Sequence, residues 1–194
     1  MKKFDVVALG ELLIDFTENG LSDQGNPILE ANPGGAPCNV LSMLQNLGKK
    51  TAFIGKVGDD AFGKMLIQVV KEQGINTDNL IVDKEVGTTL AFVHTAKDGD
   101  RSFSFYRNPG ADMMLRWNEV EQSKLSDTEI FHFGTLSMTD EYIADVTMNA
   151  VKKAKENAAK ANDQYAFMYN NKKLPFGDKG LTIGGKKLTL GGKE

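Results

Sequence analysis

The apolar positions of this chain alternate between short continuous runs and helical spacing. Asp5-Val6-Val7-Ala8-Leu9 is a run that ends at Gly10, the pattern of a strand covered on both faces. Leu12 to Thr17 and Ile28 to Ala31 are extended pieces. The Asn, Gly, Ser, Asp and Pro residues between them favour a bend, which predicts a hairpin leaving the sheet. A helix is expected from near Pro37, a residue suited to a first helical turn, with Val40, Leu41, Leu44 and Leu47 on one face and Gly48 as its stop. Thr51 to Ile54 predicts a second buried strand. From about Asp60, the spacing of Phe62, Met65, Leu66, Val69 and Val70 predicts a helix ending at Gly74.

After Thr88 the texture becomes β-branched and aromatic. Thr88 to Thr95 and Ser102 to Tyr106 flank Lys97-Asp98-Gly99-Asp100, and Asp-Gly is a strong hairpin signal. Ile130 to Phe133 returns as a strand. Tyr142 to Ala158 predicts a helix with Ile143, Val146, Ala150, Val151 and Ala154 inward. Alternating strands and helices imply a mostly parallel sheet with covering helices, and the two β excursions together suit a small second sheet.

Beyond about Lys160 this pattern stops. Residues 172–193 hold six lysines, and six glycines follow from Gly177 onward, a composition with few residues for a core. The last fourteen residues are a near-repeat around Gly184-Gly185 and Gly191-Gly192, compatible with two short strands but expected to be poorly ordered. The organisation read here is therefore 1–159, the first part of a domain with lid segments at about 12–33 and 88–108, followed by 160–194 as an unrelated tail.

Composition narrows the field. With 194 residues, 41% of them hydrophobic, and a net charge of −3, neither nucleic acid nor an anionic membrane is favoured as a partner. The start lacks the apolar stretch of a signal peptide. The single cysteine, Cys38, has no partner within the chain, so a reducing, cytoplasmic location is expected. His94 and His132 are too far apart in sequence for metal-ligand spacing. Neither G-x-G-x-x-G after the first strand nor G-x-x-x-x-G-K-[ST] occurs, which removes the dinucleotide and phosphate-loop fingerprints.

One constellation remains. Gly34-Gly35-Ala36-Pro37-Cys38-Asn39, then Leu47-Gly48, then Ile54-Gly55-Lys56-Val57-Gly58-Asp59-Asp60-Ala61-Phe62-Gly63, resembles the first signature of the ribokinase/PfkB family of sugar kinases. Leu41 departs from the small residue usual there. Gly10-Glu11-Leu12-Leu13-Ile14-Asp15-Phe16 is similar to the family's first strand and its sugar-binding aspartate. Phe105-Tyr106-Arg107 with Gly110-Ala111-Asp112 resembles the fructokinase branch. The resemblance runs from Asp5 to Ala158. It implies a ribokinase-like three-layer α/β/α fold with a β lid over the sugar, a carbohydrate kinase using ATP and Mg2+, and fructose or a similar sugar as substrate.

The residues support the site in chemical terms as well. A carboxylate at Asp15, where an extended segment leaves the first strand, can accept from two sugar hydroxyls, or can simply be solvated. Gly34 and Gly35 allow close backbone approach, as does any tight turn. Asn39 can donate and accept near a helix start, and it can equally bond its own backbone. Arg107 offers a donor fork over the sugar, or an ion pair. The resemblance selects the sugar-binding reading for all five. Phe103 and Phe105 share one strand face, for which packing against a second lid, and hence a homodimer, is the simpler expectation. Asp60 and Asp59 are expected to cap the following helix.

The family's later G-A-G-D motif, whose aspartate is the base and whose glycines form the anion hole, has no counterpart here. The D-P-N-x-R strand is likewise missing, since Tyr169-Asn170-Asn171-Lys172-Lys173 has tyrosine in place of the aspartate. The resemblance thus implies a truncated chain, native-like to about Ala158, with the C-terminal half missing. It would keep the sugar-binding residues and hold no catalytic residue. The alternative is a non-catalytic sugar-binding or lid-mediated association module.

Overall fold

A computed structural model describes residues 2–96 and 98–161, together with four strands of two or three residues between 168 and 188. In chain order the first elements are β1 (Phe4–Leu9), β2 (Leu13–Leu21), β3 (Pro27–Gly34), α1 (Ala36–Asn46), β4 (Thr51–Gly58) and α2 (Ala61–Glu72). Next come β5 (Asn76–Asp83), β6 (Leu90–Thr95), β7 (Arg101–Tyr106), α3 (Gln122–Ser126), β8 (Thr128–Phe133) and α4 (Glu141–Ala161). Single 3-10 turns lie at Ala111–Met114, Trp117–Glu119 and Leu136–Met138.

Four parallel strands make the main sheet in the order β5-β4-β1-β8. Successive residues of β1 feed opposite layers, as a strand's period of two requires. Val6 and Ala8 pack with Leu41 of α1 and with Leu66 and Val70 of α2, whereas Val7 and Leu9 pack with Ile143, Val146 and Ala150 of α4. The result is a three-layer α/β/α body, with all five expected inward positions of α4 buried.

The two β excursions join in a second sheet of order β3-β2-β6-β7, antiparallel except where β2 runs alongside β6. Its attachment to the body is aromatic. Phe16 of β2 stacks on Phe92 of β6 at 5.0 Å and meets Phe62 of α2 edge-on at 5.6 Å, a favourable pair of ring geometries. This lid is the small second sheet expected from the sequence.

Three expectations change. On α1 the inward stripe runs through Cys38 and Leu41, with Leu44 only half-buried, while Val40 and Leu47 are exposed. The helix begins at Ala36 with Pro37 buried in its first turn, and a rotation of about 100° per residue then carries positions 40, 43 and 47 outward. The second strand of the body is longer than Thr51 to Ile54, continuing buried through Gly58. The edge strand β5 was not expected at all. Its polar start, Asn76 to Asn79, hides it, yet Asn79 is buried because its side chain donates to the Glu119 carbonyl at 2.8 Å and accepts from the Glu121 amide.

The near-repeat hairpin does pair, Leu181–Ile183 with Lys186–Leu188, as do Met168–Tyr169 with Lys172–Lys173. The remaining expectation of poor order across 160–194 falls outside the described residues. No helix among the described residues is long and apolar enough to cross a membrane.

Candidate functional site at the junction of lid and body

The β2-β3 hairpin leaves the carboxyl end of β1 and returns directly into α1, so its base lies at the carboxyl edge of the parallel sheet, where open α/β folds bind ligands. Asp15 stands opposite Asn32, and Leu13 opposite Gly34. A methyl added to Gly34 would overlap the Asp15 carboxylate, so that carboxylate rests on bare backbone. Gly35 caps α1 at a φ of 117°, and a methyl there would overlap the Glu11 carbonyl. Both constraints select glycine. Asn39 is exposed in the first turn of α1 and, with Leu12, Pro33, Gly34 and Cys38, lines a small cleft. Gly34 thus touches the Asp15 carboxylate and lines the cleft that holds Asn39, while Asp15 itself does not line that cleft.

Register extends this surface across the lid. Asp15 pairs with Ala91 and Ala91 with Phe105; side chains in register on neighbouring strands share a face. One row of the lid thus reads Asn32, Asp15, Ala91, Phe105, and the next reads Glu30, Thr17, Val93, Phe103. Phe103 and Phe105 stack at 6.0 Å while remaining about half exposed. They occupy the same face as Asp15.

Electrostatics sharpen the picture. Burial raises the Asp15 carboxyl above the usual aspartate range, because a partly desolvated carboxylate loses hydration, and no donor reaches it among the described residues. Glu11 is more deeply buried. Its Oε1 accepts from the Ala36 amide at 3.0 Å, while Oε2 has no hydrogen-bond partner. Burial raises it, and the Asp112 charge adds to the rise, against opposing hydrogen bonds from backbone amides and the Arg107 charge. The Cys38 thiol is pushed up to about 12 by burial and by the neighbouring Glu11 charge, which makes it an inert core residue.

Arg107 follows β7 at the expected place, but its guanidinium is gripped by Asp112: Nε lies 2.8 Å and Nη2 2.7 Å from Oδ2. Both side chains are nearly fully buried. Nη1 reaches Thr139 Oγ1 at 3.3 Å and Nη2 the Leu136 carbonyl at 3.5 Å. Of five N–H donors, one on Nη1 is left for a ligand. Asp112 also accepts from the Thr89 hydroxyl, so the arginine ties the lid to the turn after β8.

Asp60 is the N-cap of α2. Burial by itself would raise its pKa, but hydrogen bonds from the Thr88 and Gly63 amides and the Thr88 hydroxyl outweigh this and leave it lowered. Asp59 instead forms an exposed ion pair with Lys64 at 3.1 Å. His94 contacts Ser104 Oγ at 3.2 Å, and burial lowers the pKa of His132.

Sequence reasoning missed Asn32, Glu11 and Asp112 as parts of this region. The signal for Asn32 was cross-strand register, which a single chain does not reveal. For Glu11 it was an acidic residue directly after a buried strand; for Asp112, an acidic residue five positions beyond an arginine.

Comparison with known proteins gives a consistent result. The model of the pfkB family carbohydrate kinases matches residues 3–179. A probable fructokinase-5 of Arabidopsis thaliana is 44% identical over 154 residues, 78% of this chain and 47% of that protein. A fructokinase of Solanum tuberosum is 42% identical over 156 residues, 79% and 49% of the two chains. Among solved structures, fructokinase from Xylella fastidiosa superimposes with a TM-score of 0.76 at 37% identity, over 81% of this chain and 48% of that one. A putative Ribokinase II from E. coli in complex with ATP and Mg2+ gives 0.72 at 26% identity, over 80% and 50%. The chain spans about half the length of the curated relatives it matches.

Proposed function

This chain belongs to the pfkB family of carbohydrate kinases, and on that footing we propose that it supplies the sugar-recognising surface of an ATP-dependent, fructokinase-type phosphotransferase. Asp15 accepts from sugar hydroxyls, the backbone of Gly34 and Gly35 lets the ring approach, Asn39 bonds it from the start of α1, and Arg107 contributes its remaining N–H while holding the lid in place. The observation that carries this reading is the carboxylate of Asp15, raised by burial and without a donor among the described residues, resting against a side-chain-free stretch of backbone. An acceptor desolvated at such a place is complementary to a ligand rich in hydroxyl donors.

ATP and Mg2+ enter this proposal through relatives solved with them. Among the described residues no set of three metal-ligating side chains gathers. No chemical step is therefore assigned to them. What these residues do is bind and orient the acceptor sugar, which is the positioning part of phosphoryl transfer.

The solvent-facing β7, exposed along its whole length and paired on one side only among the described residues, supports association of two lids. We place the protein in the cytoplasm, where its single thiol stays reduced.

Titration calorimetry with D-fructose, run beside a coupled ADP-release assay, tests the function. Turnover supports the whole reading. Binding alone supports sugar recognition. Absence of both for fructose and for a panel of hexoses and pentoses overturns it.

A further inference from the structure

Asn32 is the direct cross-strand partner of Asp15 on β3. Its Nδ2 donates to Thr17 Oγ1 at 3.0 Å and to the Glu30 carbonyl at 3.2 Å. A carbonyl oxygen only accepts, so the amide nitrogen, not its oxygen, must face Glu30, which fixes the orientation of the group. Both amide hydrogens are then used, and Oδ1 is left as a free acceptor among the described residues. Directly opposed residues on a sheet hold their Cβ atoms roughly 4.5–5.5 Å apart. Two acceptors, one ionisable and one fixed, therefore stand side by side on the half-buried floor of the lid, with no hydrogen bond to either from the described residues.

We propose that Asn32 Oδ1 and the Asp15 carboxylate together accept from two neighbouring hydroxyls of one sugar ring, making Asn32 a specificity-determining residue. The inference rests on the carbohydrate-binding reading above and adds to it the pattern recognised: a pair of hydroxyls on one face, close enough to satisfy both acceptors. A sugar that presents only one of the two leaves an acceptor desolvated and unpaired, and such losses discriminate strongly between otherwise similar ligands. Thr17 is the orienting group, since its hydroxyl holds the amide in place.

The test is calorimetric titration of the chain and of Asn32→Ala with D-fructose and a series of monodeoxy-fructoses, with thermal unfolding as the control for folding. Asn32→Ala should weaken fructose binding about 3- to 10-fold, the scale of one hydrogen bond to a neutral acceptor. Against one monodeoxy sugar it should lose nothing relative to the unmodified chain, because that sugar already lacks the hydroxyl. Thr17→Val should weaken fructose binding about 2-fold by loosening the amide. Equal affinity of Asn32→Ala and the parent chain for fructose overturns the role of Asn32 and leaves the carbohydrate reading intact. A loss of the same size for every deoxy sugar overturns it too. If the parent chain binds no sugar of the series, the carbohydrate reading falls and this assignment with it.

Discussion

The body and the lid treat buried polar groups in opposite ways. In the body, Lys56 on β4 is buried, but its ammonium is surrounded: Glu119 Oε1 at 2.8 Å, the Met114 carbonyl at 3.1 Å and Asp83 Oδ2 at 3.3 Å. Lys124, also buried, has Asn76, Asp78 and Glu121 around it. In the lid, Asp15 and Asn32 are half-buried, no donor among the described residues reaches the carboxylate or Oδ1, and Phe103 and Phe105 present half their surface to solvent. Both sheets have four strands, but the two buried ammonium groups of the body are paired within the chain, whereas the lid row of Asn32 and Asp15 presents acceptors that no described residue satisfies; the body keeps unpaired polar atoms of its own at Glu11 Oε2 and Thr51 Oγ1. The difference helps to locate function, since a paired buried charge serves the fold and half-buried acceptors without donors on an open sheet face suit a ligand.

Removing a partner from each region should break different properties. Lys56→Met keeps the volume and strands two carboxylates, which are only partly exposed at 14% and 28%. Breaking such a cluster should cost about 3 kcal/mol of stability, read as a lower urea midpoint with an unchanged slope. Asp15→Asn should leave the urea midpoint the same or slightly higher, because a desolvated charge is removed. It should weaken sugar binding by about 1.5–3 kcal/mol, the range for a charge-assisted bond. If Asp15→Asn destabilises the chain as much as Lys56→Met does, the distinction between the two regions is lost.

A smaller effect tests the aromatic part of the lid. Phe103→Ser removes a ring already half in solvent, so stability should change by no more than about 1 kcal/mol. Sedimentation analysis should show a weaker tendency to associate if two lids pack through this face. Unchanged sedimentation together with weaker sugar binding would assign the ring to the ligand instead.

Much of this was legible in the sequence because the body follows period rules. The inward positions of α4 were all identifiable, since five apolar residues at helical spacing admit one buried face. Asp60 as a cap followed from its place before an apolar helix. Position 40 misled, because a valine next to a leucine looks like core until the helix start is fixed at Ala36. β5 was hidden by Asn79, whose burial depends on a turn 40 residues away. At the site, Asp15 and the two glycines were visible as residue types, whereas Asn32 became visible only through its register with Asp15. The expectation for Arg107 missed Asp112, since the bend that brings them together is a property of the folded chain.

The finest test separates stability from binding at one carboxyl. Burial raises the Asp15 pKa in the folded chain, so over the window between the ordinary aspartate value and the raised one, the folded state holds more protons than the unfolded state. Stability must then fall as pH rises through that window, and the contribution is fully present only below it. Sugar affinity must move the other way, because the carboxylate, not the acid, accepts from two hydroxyls; binding should strengthen as pH rises through the raised value. Asp15→Asn should remove the affinity slope and its own share of the stability slope, while the share of the same sign from Glu11, also raised by burial, and the opposite one from Asp60, whose lowered pKa adds stability that is lost as pH falls, stay in both proteins. The comparison of calorimetric affinity with the urea midpoint, point by point from about pH 3.5 to about pH 6.5 (roughly 0.4 units below to roughly 2.6 units above the ordinary aspartate value), shows whether the two curves of the parent chain cross in this sense. Parallel curves would mean that the proton on Asp15 is linked to folding alone, and that the acceptor for the sugar lies elsewhere on the lid.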